Sequence, residues 1–210
     1  VSGTCDPVPV FQDKEIYLAS DGTGAIHDAS NGTGIEAYEA PGGPETRLVL
    51  DGMRVTSTGS GSGGSGVVCW APVGEVAELW TFDARVADVG QGVQLLRCDL
   101  LGSSDLVEDC FQTFEISYAT ASLSDCTIRD SLDAGIIAAH ATLNLTGCTV
   151  SGSTKDGMRL NDCSVDVGTT SFDRNGKGAQ VQATNNSVVT VADSSITTGG
   201  TIGVSAASGS

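Results

Sequence analysis

Leu123-Ser-Asp-Cys126-Thr-Ile128 is a short phrase that returns three times further along the chain. The later copies are Leu145-Thr-Gly-Cys148-Thr-Val150, Val167-Gly-Thr-Thr170-Ser-Phe172 and Val191-Ala-Asp-Ser194-Ser-Ile196. Each copy has an apolar residue, a small residue three places later and a second apolar residue two places after that. The copies begin 22, 22 and 24 residues apart (145−123, 167−145, 191−167). A phrase that recurs at such a period indicates a solenoid, in which each repeat forms one coil.

A second phrase alternates with the first and begins at a glycine. Its copies are Gly135-Ile136-Ile-Ala138, Gly157-Met158-Arg-Leu160, Gly178-Ala179-Gln-Val181 and Gly200-Thr-Ile202-Gly-Val204. Because alternate side chains of a strand share a face, equivalent positions of successive coils should stack in the interior. The predicted aliphatic columns are Leu123/Leu145/Val167/Val191, Ile128/Val150/Phe172/Ile196 and Ala138/Leu160/Val181/Val204. An apolar spacing of two also argues against helices.

The best copy of the repeat resembles that of pectate-lyase-like proteins. It is Ala121-Ser-Leu-Ser-Asp-Cys-Thr-Ile128 followed by Asp133-Ala-Gly-Ile136, and weaker copies lie upstream. The resemblance implies an all-β fold, a single-stranded right-handed parallel β-helix of roughly seven coils. We assign residues 1–20 to an N-terminal tail, which is a candidate cap or partner-contacting segment, residues 21–205 to the β-helix domain and residues 206–210 to a C-terminal tail.

The charge balance excludes two classes of partner. The net charge is −16 and the chain has only three lysines, so neither nucleic acid nor an anionic membrane surface is an expected partner. No segment approaches the length of about 18 apolar residues that spanning a bilayer needs. The acids either form a solvated surface or bind cations in turns. Asp21, Asp28 and Asn31 are weak candidates for calcium, without EF-hand spacing. The sequence implies no other cofactor.

Seven cysteines without a C-x-x-C pair favour a secreted protein over a zinc or thioredoxin-like site. Cys126 and Cys148 are stacked neighbours by register, about 4.8 Å apart, which is within reach of a disulfide. Two alternatives stay open for this pair, a disulfide and a column of buried thiols. The odd total leaves at least one thiol free or intermolecular, and Cys5 is the best candidate.

The chemistry implied by the resemblance is cleavage of acidic polysaccharides by groups on the outer face of the strand after the glycine. Outward positions on neighbouring coils offer no pair of carboxylates, which glycoside hydrolysis needs. Lyases of this type use an Arg or Lys base, and the one suitable group is Arg159 with Lys155, Asp156 and Asp133 in adjacent turns. The competing interpretation is that the two aspartates cap tight turns. Tyr38 and Trp70 are candidates for stacking on a sugar.

The sequence therefore favours an extracellular or cell-surface β-helix with a structural or adhesive role, such as a self-assembling filament subunit. The expected partner is another copy of the chain, end to end, or the rest of a longer parent solenoid, because edge strands pair readily. A polysaccharide is a further candidate partner. The alternative function is a polysaccharide lyase, and the sequence leans away from an enzyme.

Overall fold

The computed structural model of the chain describes residues 10–12, 15–20, 26–28, 32–43, 45–57, 64–197 and 202–207, with the backbone alone for 10–12 and 26–28. These residues form twenty-five strands in three parallel sheets. No helix in this part of the chain is long and apolar enough to cross a membrane.

The three sheets run along the molecule, and each coil gives one strand to each sheet. We number the strands along the chain. Sheet A contains β1 (Val10–Gln12), β4 (Thr33–Tyr38), β7 (Ser65–Trp70), β10 (Gln91–Leu96), β13 (Gln112–Ser117), β16 (Ile136–Ala139), β19 (Met158–Asn161), β22 (Ala179–Thr184) and β25 (Ile202–Ala207). Sheet B contains β2 (Glu15–Ala19), β5 (Arg47–Asp51), β8 (Ala77–Phe82), β11 (Cys98–Ser103), β14 (Thr120–Ser124), β17 (Thr142–Thr146), β20 (Ser164–Gly168) and β23 (Val188–Ala192). Sheet C contains β3 (Ile26–Asp28), β6 (Arg54–Thr56), β9 (Arg85–Ala87), β12 (Leu106–Glu108), β15 (Thr127–Arg129), β18 (Thr149–Ser151), β21 (Ser171–Asp173) and β24 (Ser195–Ile196).

Every strand pairs in parallel with the equivalent strand of the neighbouring coil, which confirms the predicted parallel β-helix. The roughly seven coils expected compare with the eight strands of sheets B and C. The solenoid also includes part of the segment that the sequence sets apart as residues 1–20, because β1 pairs with β4 and β2 pairs with β5. At the other end, β25 extends to Ala207.

Two of the three predicted interior columns are confirmed by the strand register. Leu123 stacks on Leu145, then Val167, then Val191, and the column from Ile128 to Ile196 follows the same rule. The third column is wrong beyond Leu160. Leu160 pairs with Ala183, while Val181 pairs with Met158 and Val204.

The error arises because Gly157 is aligned in register with Gln180 rather than with Gly178. A Cβ atom on Gly157 would lie 2.5 Å from the backbone oxygen of Gln180, so this position needs glycine where the coils approach. The side chain of Gln180 is buried. It accepts a hydrogen bond at 2.6 Å from Nδ2 of the buried Asn175. The two side chains hydrogen-bond to each other inside the turn. This coil is one residue longer than the one before it, since Met158 pairs with Val181 whereas Ile136 pairs with Met158.

The corners between the sheets rely on residues in the left-handed region of backbone space. Between sheets B and C, the residue at this position is followed by a small buried one, as in Asp125-Cys126 and Asp83-Ala84. Asp and Asn adopt this conformation more readily than most residues. The aspartates with positive φ are Asp83, Asp88, Asp109, Asp125, Asp130, Asp162 and Asp193. Part of the negative charge therefore serves the backbone geometry.

One interior column contains a buried acid. Asp105 is 4% exposed and occupies the position that Cys126 holds on the next coil. Its carboxylate accepts hydrogen bonds from the hydroxyl of Thr81 and from the amide of Ala84, the latter at 2.9 Å. Burial raises the pKa of Asp105 to about 6, against the effect of these hydrogen bonds.

The first prediction tests the interior register. Val167 is 2% exposed between Leu145 and Val191. Val167→Asp should lower the free energy of unfolding by about 4 kcal/mol, because it buries an unpaired charge. Ser164→Asp, at an exposed position of the same strand, is the control and should change it by less than about 0.5 kcal/mol. Equal melting of the two variants would contradict the register.

The second prediction concerns pH. The unfolded chain releases the proton of an aspartate near pH 3.9, whereas folded Asp105 holds it to about pH 6. The stabilisation from this proton is therefore fully present below about pH 4 and is lost as the pH rises through about 6. Asp105→Asn keeps both hydrogen bonds without a charge. It should raise the free energy of unfolding at pH 8 by an amount on the order of 2–3 kcal/mol, and much less at pH 4.

Urea unfolding of both proteins between pH 4 and 8 measures this difference, since the other carboxylates are common to the two. Stability curves that run parallel over this range would show that Asp105 does not hold its proton in the folded state.

Candidate functional site

The outer face of sheet A carries the side chains from which the sequence predicts chemistry. Strand register places one outward row along the molecule: Glu36, Val68, Gln94, Glu115, Ile137, Arg159, Gln182 and Ser205. Glu36 and Glu115 are three coils apart in this row, or roughly 14 Å at about 4.8 Å per coil. That separation exceeds the range of about 5–10 Å between the two acids of a glycosidase.

The predicted group of Arg159, Lys155, Asp156 and Asp133 converges at the corner between sheets C and A. Arg159 Nη2 lies 2.8 Å from Asp156 Oδ2 and 3.3 Å from Asp133 Oδ1. Lys155 Nζ lies 2.9 Å from the same Asp133 oxygen. Both aspartates are 6% exposed, whereas the side chains of Arg159 and Lys155 are 33% and 56% exposed, so the carboxylates are buried and their cations reach the solvent.

The charges of this cluster determine what it can do. Partial burial opposes the charged guanidinium, but Asp156 and Asp133 outweigh it and raise the pKa of Arg159 above its ordinary value. Burial likewise opposes the charged form of Asp133, but Lys155 and Arg159 prevail and lower the pKa of that carboxyl. Arg159 is therefore held protonated, which is the opposite of what a catalytic base requires. The other oxygen of Asp156, Oδ1, accepts a hydrogen bond of 2.8 Å from the backbone N–H of Ala179, which ties this turn to the next coil.

The predicted stacking residues Tyr38 and Trp70 lie together at the N-terminal end of the same face. Their ring centroids are 4.0 Å apart with an interplanar angle of 32°. Trp70 Nε1 donates a hydrogen bond of 2.9 Å to Glu36 Oε1, which fixes the indole. Gln94, Leu96 and Glu115 line the groove beside Trp70. No motif in the sequence marks these three residues, which lie at outward strand positions on the following coils.

Of the two alternatives that the sequence leaves open for Cys126 and Cys148, the structure contains the buried thiols. Cys126 and Cys148 are free and buried, and their thiols donate to the carbonyl oxygens of Ser124 and Thr146, at 3.3 and 3.5 Å. Each thiol donates to a backbone carbonyl oxygen, and no disulfide joins the two. The disulfide of the structure joins Cys69 to Cys98, whose Cα atoms are 5.8 Å apart. Cys110 is also a free thiol, and burial raises its pKa to about 12. Cys5 lies outside the described residues.

The calcium candidates fall outside the part of the chain that can be assessed. Asp21 and Asn31 are not among the described residues, and of Asp28 only the backbone is described. Among the side chains that the structure does describe, no group of three or more His, Cys, Asp or Glu is arranged to hold a metal ion.

The third prediction follows from the ion-pair cluster. Arg159→Met should lower the free energy of unfolding by about 2–3 kcal/mol, because it removes the cation shared by two largely buried carboxylates. Arg174→Met is the control, since Arg174 is 79% exposed in its pair with Asp173 and should contribute less than about 1 kcal/mol. Urea unfolding at neutral pH measures both variants. An Arg159 variant as stable as the Arg174 variant would contradict a structural role for the cluster.

Comparison with known proteins adds a family to this geometry. A family model described as the right handed beta helix region matches residues 82–210, which is 129 of the 210 residues (210−82+1). Neither the curated proteins nor the solved structures contain a match to the chain. The family model agrees with the three parallel sheets, and because it covers more than half of the sequence, this chain belongs to the right-handed β-helix family.

Proposed function

We propose that this chain is an extracellular structural or adhesive β-helix that associates end to end through its last coil, β23–β25. The observation that carries the proposal is the exposure of interior columns at that coil. Val167 is 2% exposed but Val191, stacked on it, is 41% exposed. Val181 is fully buried but Val204, stacked on it, is 53% exposed. These valines have the positions of core residues without the cover that core residues have.

The strand edges at the two ends support the same proposal. In the described part of the chain, β23, β24 and β25 are the last strands of their sheets, and β1, β2 and β3 are the first. A parallel strand edge with unpaired backbone groups readily accepts another strand. The first coil of a second copy would continue all three sheets in the same direction. Such a contact is head to tail, so it produces open filaments rather than closed rings.

The disulfide supports the extracellular location. Cys69 and Cys98 are bonded, and bonds of this kind persist mainly in oxidising compartments. A net charge of −16 keeps a protein soluble, and it opposes association at low ionic strength. End-to-end contact is therefore expected to strengthen as salt screens the charge.

A lyase acting on an acidic polysaccharide is the second candidate. In its favour, Arg159, Lys155, Asp133 and Asp156 converge on one face. Against it, Arg159 is paired with two carboxylates and its pKa is raised, so Arg159 is poorly suited to act as the base. Unsaturated products released from polygalacturonate by the native protein, and not by Arg159→Ala, would reverse this order of preference.

The fourth prediction tests association. Native protein in about 0.15 M salt should form concentration-dependent, linear oligomers in sedimentation velocity. Val204→Asp places a charge on the exposed end column and should leave the protein folded but monomeric. Ser205→Asp adds the same charge next to it on β25 but on the outward row, and should associate like the native protein.

Circular dichroism checks that both variants fold. A native protein that stays monomeric at the highest soluble concentration would overturn end-to-end association. Equal loss of association in the two variants would assign the effect to charge alone, and would overturn the role of the apolar columns.

A further inference from the structure

A groove of about 320 Å³ crosses the outer face of sheet A next to Trp70. We call it the Trp70 groove, and the side chains considered below are Val68, Trp70, Gln94, Leu96, Glu115 and Ser117. They come from three consecutive coils, since Val68 pairs with Gln94 and Gln94 with Glu115. The groove is therefore built on rigid paired strands.

One part of the Trp70 groove is apolar. A second outward row contains Tyr38, Trp70 and Leu96 on successive coils, and Leu96 is 38% exposed beside Trp70. Tyr38, on the preceding coil, supports the indole of Trp70 from one side. On the other side, toward Leu96 of the following coil, the indole borders the groove. Its hydrogen bond to Glu36 fixes its orientation.

The other part of the Trp70 groove is polar and already ordered. Glu115 Oε2 accepts hydrogen bonds from Gln91 Nε2 at 3.1 Å and from Gln94 Nε2 at 3.0 Å. Ser65 Oγ in turn donates to Gln94 Oε1 at 2.8 Å. Both bonds to Glu115 end on one oxygen, so the second carboxylate oxygen is left as an acceptor for a ligand. A site with its polar groups preorganised loses less entropy when it binds.

This combination matches one class of ligand. A sugar ring presents C–H groups on its faces, which pack on an indole and a leucine, and hydroxyls at its edge, which donate to a carboxylate. The charge of the ligand follows from its surroundings. Glu36, bonded to Trp70, and Glu115 place two carboxylates at the groove, and beside them lies the guanidinium of Arg97, which donates to the carbonyl oxygen of Ala71. Arg159, two coils beyond Glu115, is neutralised by its aspartates, and the whole chain carries −16. An acidic sugar would therefore be repelled.

We infer that the Trp70 groove binds an uncharged sugar ring, with Trp70 as the stacking surface and Glu115 as the hydroxyl acceptor. The inference rests on the adhesive part of the proposed function, for which it names a ligand class. It does not involve the last coil, so it stands or falls separately from end-to-end association.

The fifth prediction uses the two tryptophans of the chain, Trp70 and Trp80. Trp80 lies on sheet B beneath the Arg47 guanidinium, 4.7 Å from its ring centroid. Trp80→Phe therefore leaves Trp70 as the single indole, and its fluorescence reports on the groove. The probes are cellohexaose, xylohexaose and maltohexaose as uncharged oligosaccharides, and hexagalacturonate as the acidic one. At least one uncharged probe should change the fluorescence with saturation, and hexagalacturonate should bind at least tenfold more weakly.

Three variants in the Trp80→Phe background locate the site. Glu115→Gln should weaken binding at least fivefold. The amide oxygen can still accept from Gln91 and Gln94, but an NH2 group then replaces the carboxylate oxygen offered to the ligand. Asp166→Asn is the matched control, since Asp166 is exposed on sheet B and far from the groove, and should leave binding unchanged. In Trp80→Phe,Trp70→Phe, the heat of binding in calorimetry should disappear.

The proposal is overturned if no uncharged probe gives a saturable change at millimolar concentration, or if hexagalacturonate binds as tightly as the best of them. Binding that survives Glu115→Gln and the loss of Trp70 would also overturn it, because the ligand would then occupy another surface. All titrations are run on dilute protein shown by sedimentation to be monomeric, so that a negative result leaves the test of association unaffected.

Discussion

Parallel pairing between equivalent strands of successive coils is the constraint on which the rest of this molecule depends. Because the register is kept from coil to coil, each residue takes its environment from its position within the coil. An interior column is apolar along all or nearly all of its length. A polar or exposed member therefore contacts apolar neighbours on the adjacent coils. Asp105 is such an exception, placed in a column of small residues where water has little access. The exposed valines of the last described coil, Val191 and Val204, are another, since no described residue stacks on their outer side.

The surface chemistry follows from the same constraint. Each corner needs a residue that tolerates positive φ, and Asp fills many of these positions. Several arginines are in turn held by carboxylates one coil away, as Glu108 is held between Arg85 and Arg129. Many of the charged side chains thus stabilise the corners or the contacts between neighbouring coils. A small number of polar groups on sheet A, Glu115 among them, remain available for contact with other molecules.

The sequence was sufficient for the regular half of the fold and insufficient where the coils vary. The columns that begin at Leu123 and Ile128 could be predicted because their spacing changes little. The column through Val181 could not, because Gln180 replaces a glycine and brings in Asn175 as its partner, which no period in the sequence shows. In the cluster around Arg159, Lys155 and Asp156 were found because they are close to it in sequence, and Asp133 because the 22-residue period places it beside Lys155 on the preceding coil. The Cys69–Cys98 bond was missed because it joins strands of different sheets on consecutive coils, β7 of sheet A and β11 of sheet B, so the two cysteines do not hold equivalent positions of the repeat.

That bond has a mechanical consequence. A solenoid pulled from its ends loses its coils one after another, since each coil is held mainly by its neighbours. Cys69 and Cys98 belong to consecutive coils and are covalently joined, so the 29-residue separation between them cannot be drawn out. About 100 Å of extended backbone is thereby withheld from stretching. Under tension the disulfide would act as a stop, protecting the segment that contains Trp70 and Leu96 while the coils on either side yield first.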